Sequence, residues 1–453
     1  MNLETPRDLA LRVLNDLSRK PGFSASSLDN LFRSRPQLEE RDRAFISQLV
    51  QGSVRWRARL DWTIRQTADV PLKKISLPVL NLLRLALYQI LFLDRVPESA
   101  AVNEAVKQAK KRQPSYVVSF VNAVLRKVCR NKNQVSFPDR GKSPAEFLSV
   151  FYSYPEWLVR KWIREWGVNF AEALLDSQNR IPTLTVRSNP LRTDRAVLIH
   201  RLEAEQGILG KPTPYSPQGI QLENFRGRVD QGKAFQEGLF QVQDEAAQLT
   251  SVLVSPVAGE TVLDLCAGYG GKSTHLAELM GDQGKVIALD MNRTRLVSLA
   301  TNAVRLGIRS VVPVAADASR DLSSLFRVRF DRIVVDAPCS GLGVISRHPD
   351  GKWTKKEEDV ARLAQLQKAI LNNACSLLRT GGTLLYVTCT LSREENEEVV
   401  EACLAGNKDM VLVNLKDQTP LWVRDLIDDH GFLRTFPHLH GMDGFFGALM
   451  RKI

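Results

Sequence analysis

Two cysteines stand where apolar, strand-like runs end, and both have neighbours suited to group-transfer chemistry. Cys339 follows an acid in Asp336-Ala337-Pro338-Cys339-Ser340-Gly341, and Cys389 is framed by Thr388 and Thr390 fifty residues later. A thiolate attacks electron-poor carbon, and a carboxylate beside it can hold or move a proton. Either cysteine alone is more often a small buried hydrophobe than a nucleophile. Two of them at the ends of two such runs, one beside an acid, point to a shared reactive rim. The other four, Cys129, Cys266, Cys375 and Cys403, read as ordinary thiols of the interior.

A glycine-rich turn precedes both: Cys266-Ala267-Gly268-Tyr269-Gly270-Gly271-Lys272-Ser273. Glycines after a first strand let a ligand approach the backbone, and the helix N-terminus that follows favours negative charge. The spacing is neither GxGxxG nor that of a P-loop, so taken alone the turn also fits a purely structural role. Asp290, nineteen residues past Gly271, ends the next apolar run. That is the distance at which dinucleotide-type sites place the acid that holds ribose hydroxyls. Asp317 ends a third run and Asp336 a fourth. One such acid could simply cap a helix, whereas three at successive strand ends would line one edge of a sheet. His275, His348, His438 and His440 lack metal-ligand spacing and no CxxC pair occurs, so no metal site is expected.

The elements that must position these groups alternate from about residue 240 onward. Strands are predicted at Glu260–Leu265, Lys285–Asp290, 310–317, 330–337 and 382–389, with helices through Met280 and over Arg293–Leu306. Such βαβ alternation predicts an α/β domain over 241–453, a mostly parallel, doubly wound sheet with its ligand at the strands' carboxyl ends. Before it, 145–240 reads as a small α+β domain: helix at Pro155–Trp166, strand at Pro182–Ser188, helix at Arg195–Gln206. Residues 1–135 read as an all-α bundle, with Leu9, Val13 and Leu17 at helical spacing and further helices at Asp42–Val54, Pro78–Leu93, Asn103–Ala109 and Tyr116–Val128. A polar stretch, Asn131–Lys142, reads as a linker.

A chain of 453 residues with 44% hydrophobic and 25% charged residues belongs to a multidomain globular protein, not a disordered or fibrous one. The apolar stretch Leu77–Leu93 is broken by Asn81, Arg84 and Gln89, which suits a buried core helix better than a membrane span. Absence of an apolar leader and of paired cysteines predicts reduced thiols in the cytoplasm. The net charge of +12 is confined to residues 1–150, which hold 26 basic and 14 acidic residues; the rest of the chain balances. A local basic excess fits a phosphate-backbone binder, although a soluble Arg-rich bundle would look the same. Its clusters are Arg55/Arg57/Arg59, Lys107/Lys110/Lys111/Arg112 and Arg126/Lys127/Arg130/Lys132.

Three segments together resemble the RNA cytosine-5 methyltransferases: Cys266–Lys272, Asp336–Gly341 with its continuation LGVISRHPDGKW, and Tyr386-Val387-Thr388-Cys389-Thr390-Leu391. The stretch LFRSRPQLEERDRAFISQLVQGSVRWRARLDW (31–62) resembles the NusB-like RNA-binding domain joined to that enzyme in the bacterial RsmB/Sun group. One departure is visible: the family's loop usually reads CAAPGGKT, and Tyr269 stands here in place of its proline. The resemblance implies a NusB-like bundle followed by a Rossmann-like class I methyltransferase, with S-adenosylmethionine as cofactor and 16S ribosomal RNA as partner. It implies Cys389 as nucleophile, Cys339 as an aid to product release, and Asp336 at the cytosine edge. Cys266, Ala267, Gly268, Tyr269, Gly270, Gly271 and Lys272 would hold the methionine part of the cofactor, with Asp336 alongside; Asp290 would hold the ribose and Asp317 the adenine. A monomer without metal or membrane is expected. Two other readings compete. A DNA cytosine-5 methyltransferase would take Cys339, in its Pro-Cys pair, as nucleophile. A non-catalytic RNA-binding factor would keep the fold and leave the cysteines idle.

Overall fold

Leucines and valines at helical spacing build the first part of the chain, which the computed structural model describes together with the rest at residues 4–20, 22–225 and 227–453. Seven helices, α1 (Pro6–Arg19), α2 (Ser24–Ser34), α3 (Glu40–Arg55), α4 (Arg57–Thr67), α5 (Leu77–Phe92), α6 (Glu98–Lys110) and α7 (Ser115–Asn131), enclose one apolar core. α1 starts at a capping box, in which Thr5 and Asp8 each satisfy the other's backbone N–H. α5 is the central helix, and its three polar interruptions are all matched. Asn81 donates to the Leu14 carbonyl, Arg84 grips Asp61 with two bonds of 2.6 and 2.7 Å, and Gln89 accepts from Arg7. No helix among the described residues is long and apolar enough to cross a membrane. Three more helices follow, α8 (Pro144–Phe151), α9 (Glu156–Trp166) and α10 (Val168–Asn179).

The next elements form a small antiparallel sheet, β1 (Leu184–Ser188), β2 (Leu209–Pro212), β3 (Gly219–Glu223) and β4 (Phe240–Val242), in the order β2-β3-β1-β4. Helix α11 (Arg195–Gln206) buries Leu198 and Leu202 in its core, and α12 (Lys233–Gln236) leads into β4.

After α13 (Glu245–Val254) the βα alternation begins: β5 (Thr261–Leu265), α14 (Gly271–Leu279), β6 (Lys285–Asp290), α15 (Arg293–Leu306), β7 (Val311–Ala315) and β8 (Phe330–Asp336). A short helix α16 (Gly351–Thr354) precedes α17 (Glu357–Leu377), the long strand β9 (Leu378–Thr388), α18 (Glu397–Gly406), β10 (Met410–Val413), β11 (Leu433–Arg434) and β12 (Phe446–Lys452). The sheet order is β10-β12-β9-β8-β5-β6-β7, with β11 paired to β12. Strands β9, β8, β5, β6 and β7 run parallel, and β12 enters antiparallel beside β9. The chain moves from β5 towards β7 on one side and from β8 to β9 on the other. The switch point therefore lies between β5 and β8, where open α/β sheets bind ligands.

Contacts divide the chain into two compact units. One holds the residues up to Arg180 together with Ile345–Lys355; the other holds Ile181–Val344 with Lys356–Ile453. The segment Ile345–Lys355 is built into the first unit by polar bonds that its sequence does not advertise. Lys352, fully buried, donates to the Arg55 and Ser153 carbonyls and to Asn179 Oδ1, and Asp350 accepts from the Ser24 N–H and hydroxyl. Arg55 donates to the carbonyls of Asn179, Arg180 and Ser346 at 2.8–2.9 Å. Of the cluster Arg55/Arg57/Arg59, only Arg57 remains exposed. Arg55 is buried, Arg57 stacks over Trp353, and Arg59 over Phe151 at 4.6 Å. Exposed cations of this unit include Lys107, Lys110, Lys111 and Arg112 on and after α6, and Arg126 and Arg130 along α7.

Candidate active site

Strand β5 ends in a turn whose conformation explains its glycines. Gly270 has φ +80°, and a Cβ there would stand 2.4 Å from Leu299, so no larger residue fits. At Gly268 and Gly271 an added Cβ would meet only ordinary contacts, with Cys266 O at 4.0 Å and Gln243 Nε2 at 3.8 Å respectively. The crest of the loop is therefore bare backbone that a ligand can approach. Asp290, at the end of β6, braces this loop: its carboxylate accepts from the Gly268 N–H at 2.9 Å and the Asn292 N–H at 2.7 Å. Beneath the loop, Asp264 of β5 accepts from the Ser273 hydroxyl at 2.5 Å, and burial pushes its carboxyl up to about 7. Its second oxygen has no hydrogen-bond partner among the described residues. A bare backbone crest, a helix N-terminus and a carboxylate at the next strand end suit an elongated nucleoside-bearing ligand such as S-adenosylmethionine.

Asp317, two residues past β7, turns one oxygen onto its own loop. Oδ1 accepts from Ser319 N–H and hydroxyl, and these bonds hold its pKa below the usual carboxylate value. Tyr269 is 65% exposed, with the Arg295 guanidinium 5.7 Å from its ring centroid. Cys266 takes up the strained φ of +65° as the turn begins, and burial, with the surrounding carboxylates, pushes its thiol's pKa far up.

The reactive rim lies at the carboxyl ends of β8 and β9. Cys339 Sγ and Cys389 Sγ are 3.2 Å apart, and both residues are half-buried. The hydrogen bond to Cys389, together with burial, raises the Cys339 thiol well above its ordinary value, so Cys339 stays protonated. The Gly343 N–H donates to the Cys389 carbonyl at 3.0 Å, and the Ala337 N–H to Val387, tying the two strand ends together. Asp336 receives a 2.6 Å bond from Lys272 Nζ. Burial opposes the charge on Lys272, but the Asp336 carboxylate outweighs it, so the lysine holds its proton more firmly than usual.

The structure thus brings Asp336, Cys339 and Cys389 to one rim, with the loop 266–272 and Asp290 at the neighbouring strand ends. Sequence reading assigned Lys272 to the cofactor alone; the structure pairs it with Asp336. Three further residues went unnoticed: Asp264, Glu395 and Asn396. Asp264 could have been found as the single charge inside the apolar run TVLDL. Glu395 and Asn396 sit in the acidic run REENEE, which reads like a solvated surface. Among the described residues no cluster of His, Cys, Asp or Glu could hold a metal ion.

Comparison with known proteins covers the whole chain. Residues 251–451 match the family described as 16S rRNA methyltransferase RsmB/F, residues 4–130 the NusB family, and residues 154–229 the ferredoxin-like domain of RsmF/B-like methyltransferases. The probable ribosomal RNA small subunit methyltransferase B of Bacillus subtilis is 38% identical over 453 residues, covering all of both chains. The probable protein of that name from Synechocystis is 36% identical, covering 98% of this chain and 99% of that one. The ribosomal RNA small subunit methyltransferase B of Escherichia coli is 33% identical, over 94% of each chain. Among solved structures, PH0851 superimposes with a TM-score of 0.81 at 28% identity, covering 99% of this chain and 98% of that one. NSun6 from Pyrococcus horikoshii, solved with the S-adenosylmethionine analogue SFG, gives 0.59 at 25% identity, covering 67% of this chain and 99% of that one.

Proposed function

Because the chain belongs to the RsmB/F family of 16S rRNA methyltransferases, we propose that it methylates carbon 5 of a cytosine in small-subunit ribosomal RNA through a covalent bond to Cys389. The observation that carries this reading is the pair of thiols 3.2 Å apart beside the Lys272–Asp336 ion pair. S-adenosylmethionine, the family's cofactor, supplies an electrophilic methyl group when it is bound at the loop 266–272.

Carbon 5 of cytosine is too weak a nucleophile to take up such a methyl group unaided. A thiolate that adds at carbon 6 makes carbon 5 enamine-like, and Cys389 is the residue given that task. Asp336 contacts the cytosine edge and orients the ring by accepting its N–H hydrogen bonds, with Lys272 fixing the carboxylate so that little reorganisation is needed. After methylation a base removes the carbon-5 proton, the carbon–sulfur bond breaks, and the electron pair returns to Cys389. Cys339, which carries its proton beside the departing sulfur, assists that release. The target nucleotide must be unstacked to reach the rim. The basic helices of the first unit hold the RNA by its phosphates, which orient the substrate without reading its sequence.

The test is transfer of a labelled methyl group from S-adenosylmethionine to unmodified small-subunit ribosomal RNA, followed by nucleoside analysis. Label in 5-methylcytidine, absent with Cys389→Ala, is the expected result. Label in any other nucleoside, or RNA binding without transfer, overturns the reading.

A further inference from the structure

Two thiols on separate loops must be held at a fixed separation, and one buried carboxylate outside the reacting set is bonded to both loops. Glu395 ends the 3-10 turn Arg393–Glu395 that follows β9 and is fully buried. Its Oε1 accepts from the Ser340 N–H at 2.8 Å and from Gln367 Nε2 at 3.0 Å. Its Oε2 accepts from the Thr390 hydroxyl at 3.2 Å and from the Ser340 hydroxyl. Ser340 directly follows Cys339, and Thr390 directly follows Cys389; their hydroxyls are 2.7 Å apart. Gln367 uses its other N–H on the carbonyl of Pro338, the residue before Cys339.

The turn that carries Glu395 is itself anchored. The Tyr386 hydroxyl donates to the Glu395 carbonyl at 2.6 Å, and Asn396 bonds Thr388 Oγ1 and the Thr390 carbonyl on either side of Cys389. A carboxylate only accepts, and four donors converge on this one. Burial raises the carboxyl's pKa, and those four bonds pull the other way. A buried glutamate serving only as structural filler would need donors from anywhere nearby. Here three of the four bonds come from the residues that flank the two thiols.

We propose that Glu395 is a positioning residue that sets the separation of the two thiols, locking the Cys339 loop against the Cys389 loop so that adduct formation and release occur at one place. The catalytic consequence rests on the reading of Cys389 and Cys339 given above; the geometric claim does not.

The test compares wild type with Glu395→Gln, which keeps size but swaps one acceptor oxygen for a donor facing donors, and with Glu395→Asp, which keeps the charge. Diamide oxidises a close thiol pair to a disulfide while being reduced to its hydrazine, and peptide mass spectrometry measures the rate. Cys375 and Cys403, 3.4 Å apart in α17 and α18, provide an internal reference for an intact fold. The expected result is a Cys339–Cys389 cross-linking rate lowered about tenfold or more in Glu395→Gln, with the Cys375–Cys403 rate unchanged. Methyl transfer should follow the same order, with kcat down about tenfold and KM for RNA within about threefold, and partial rescue in Glu395→Asp. An unchanged Cys339–Cys389 rate overturns the proposal, as does failure of wild type to cross-link. Parallel changes at both pairs assign Glu395 a merely structural role and overturn it too. If cross-linking responds as expected while wild type makes no 5-methylcytidine, the functional reading fails and the positioning role stands.

Discussion

Replacing Arg187 by methionine removes a buried cation while nearly keeping its volume. Arg187 of β1 and Glu278 of α14 are both fully buried, joined by two bonds of 2.9 and 2.8 Å. The same guanidinium donates to the Gly271 carbonyl, the first residue of α14 after the glycine loop, at 2.8 Å and to Thr274 at 3.2 Å. Burial already raises the Glu278 pKa with the guanidinium beside it. Without Arg187, Glu278 takes up a proton rather than remain charged in the interior. Holding it protonated at pH 7 against an ordinary value of 4.5 costs up to about 3.4 kcal/mol, within reach of the ~3–5 kcal/mol typical of a broken buried pair.

The sign of the pH dependence follows. A carboxyl whose pKa is raised in the folded state binds more protons folded than unfolded, so stability relative to wild type falls as pH rises above the wild-type carboxyl's own pKa, itself already raised above 4.5. The penalty relative to wild type shrinks to at most about 0.7 kcal/mol at pH 5. His275, buried beside the pair, is held neutral by its burial and by Arg187. Its cost appears on acidification in both proteins and largely cancels in the difference. Thermal unfolding followed by circular dichroism should show Arg187→Met melting roughly 7–14 °C lower at pH 7 and only slightly lower at pH 5. Adding Glu278→Leu should recover most of the loss. A pH-independent gap, a gap under about 2 °C at pH 7, or no recovery in the double variant would refute the argument.

Two further outcomes are expected. Lys272→Met and Asp336→Asn should each lower kcat by about a hundredfold, and the double variant should be no worse than the poorer single one, because the two act as a unit; additive losses in steady-state kinetics would separate them. Converting the exposed Lys110, Arg112, Arg126 and Arg130 to glutamine should reduce the slope of log RNA affinity against log salt by up to about 3, at about 0.7 per lost phosphate contact. Cofactor affinity measured by calorimetry should not change, and equal salt slopes would remove these helices from the RNA-binding surface.

The parallel part of the sheet was legible because each strand is an apolar run ending in an acid or a cysteine. Lys285–Asp290 and Arg293–Leu306 fall where the spacing predicted them, and Asp290, Asp336 and Cys389 end or directly follow their strands. Helices α2 and α4 were not legible. α2 is serine-rich and α4 arginine-rich, each with few apolar residues, and only packing of Leu28, Leu31, Leu60 and Ile64 into the shared core makes them helices. Nor did the antiparallel strands β10, β11 and β12 announce themselves, being short or late in the chain. Arg55 reads as surface charge in sequence, yet its guanidinium is buried on three carbonyls, a pairing between residues more than 120 positions apart. Glu395 illustrates the same limit: one glutamate in REENEE is the interior latch of the site, and only the fold distinguishes it from its neighbours.

The nucleophile is the centre of this account, and trapping it is the most direct test. RNA carrying 5-fluorocytidine at the target cannot lose the carbon-5 substituent, so elimination is blocked and the enzyme stays attached. Digestion and peptide mapping of that complex, formed with S-adenosylmethionine, should place the adduct on Cys389, lost in Cys389→Ala and retained in Cys339→Ala. An adduct on Cys339, or no adduct with RNA that is methylated when unfluorinated, would contradict the account.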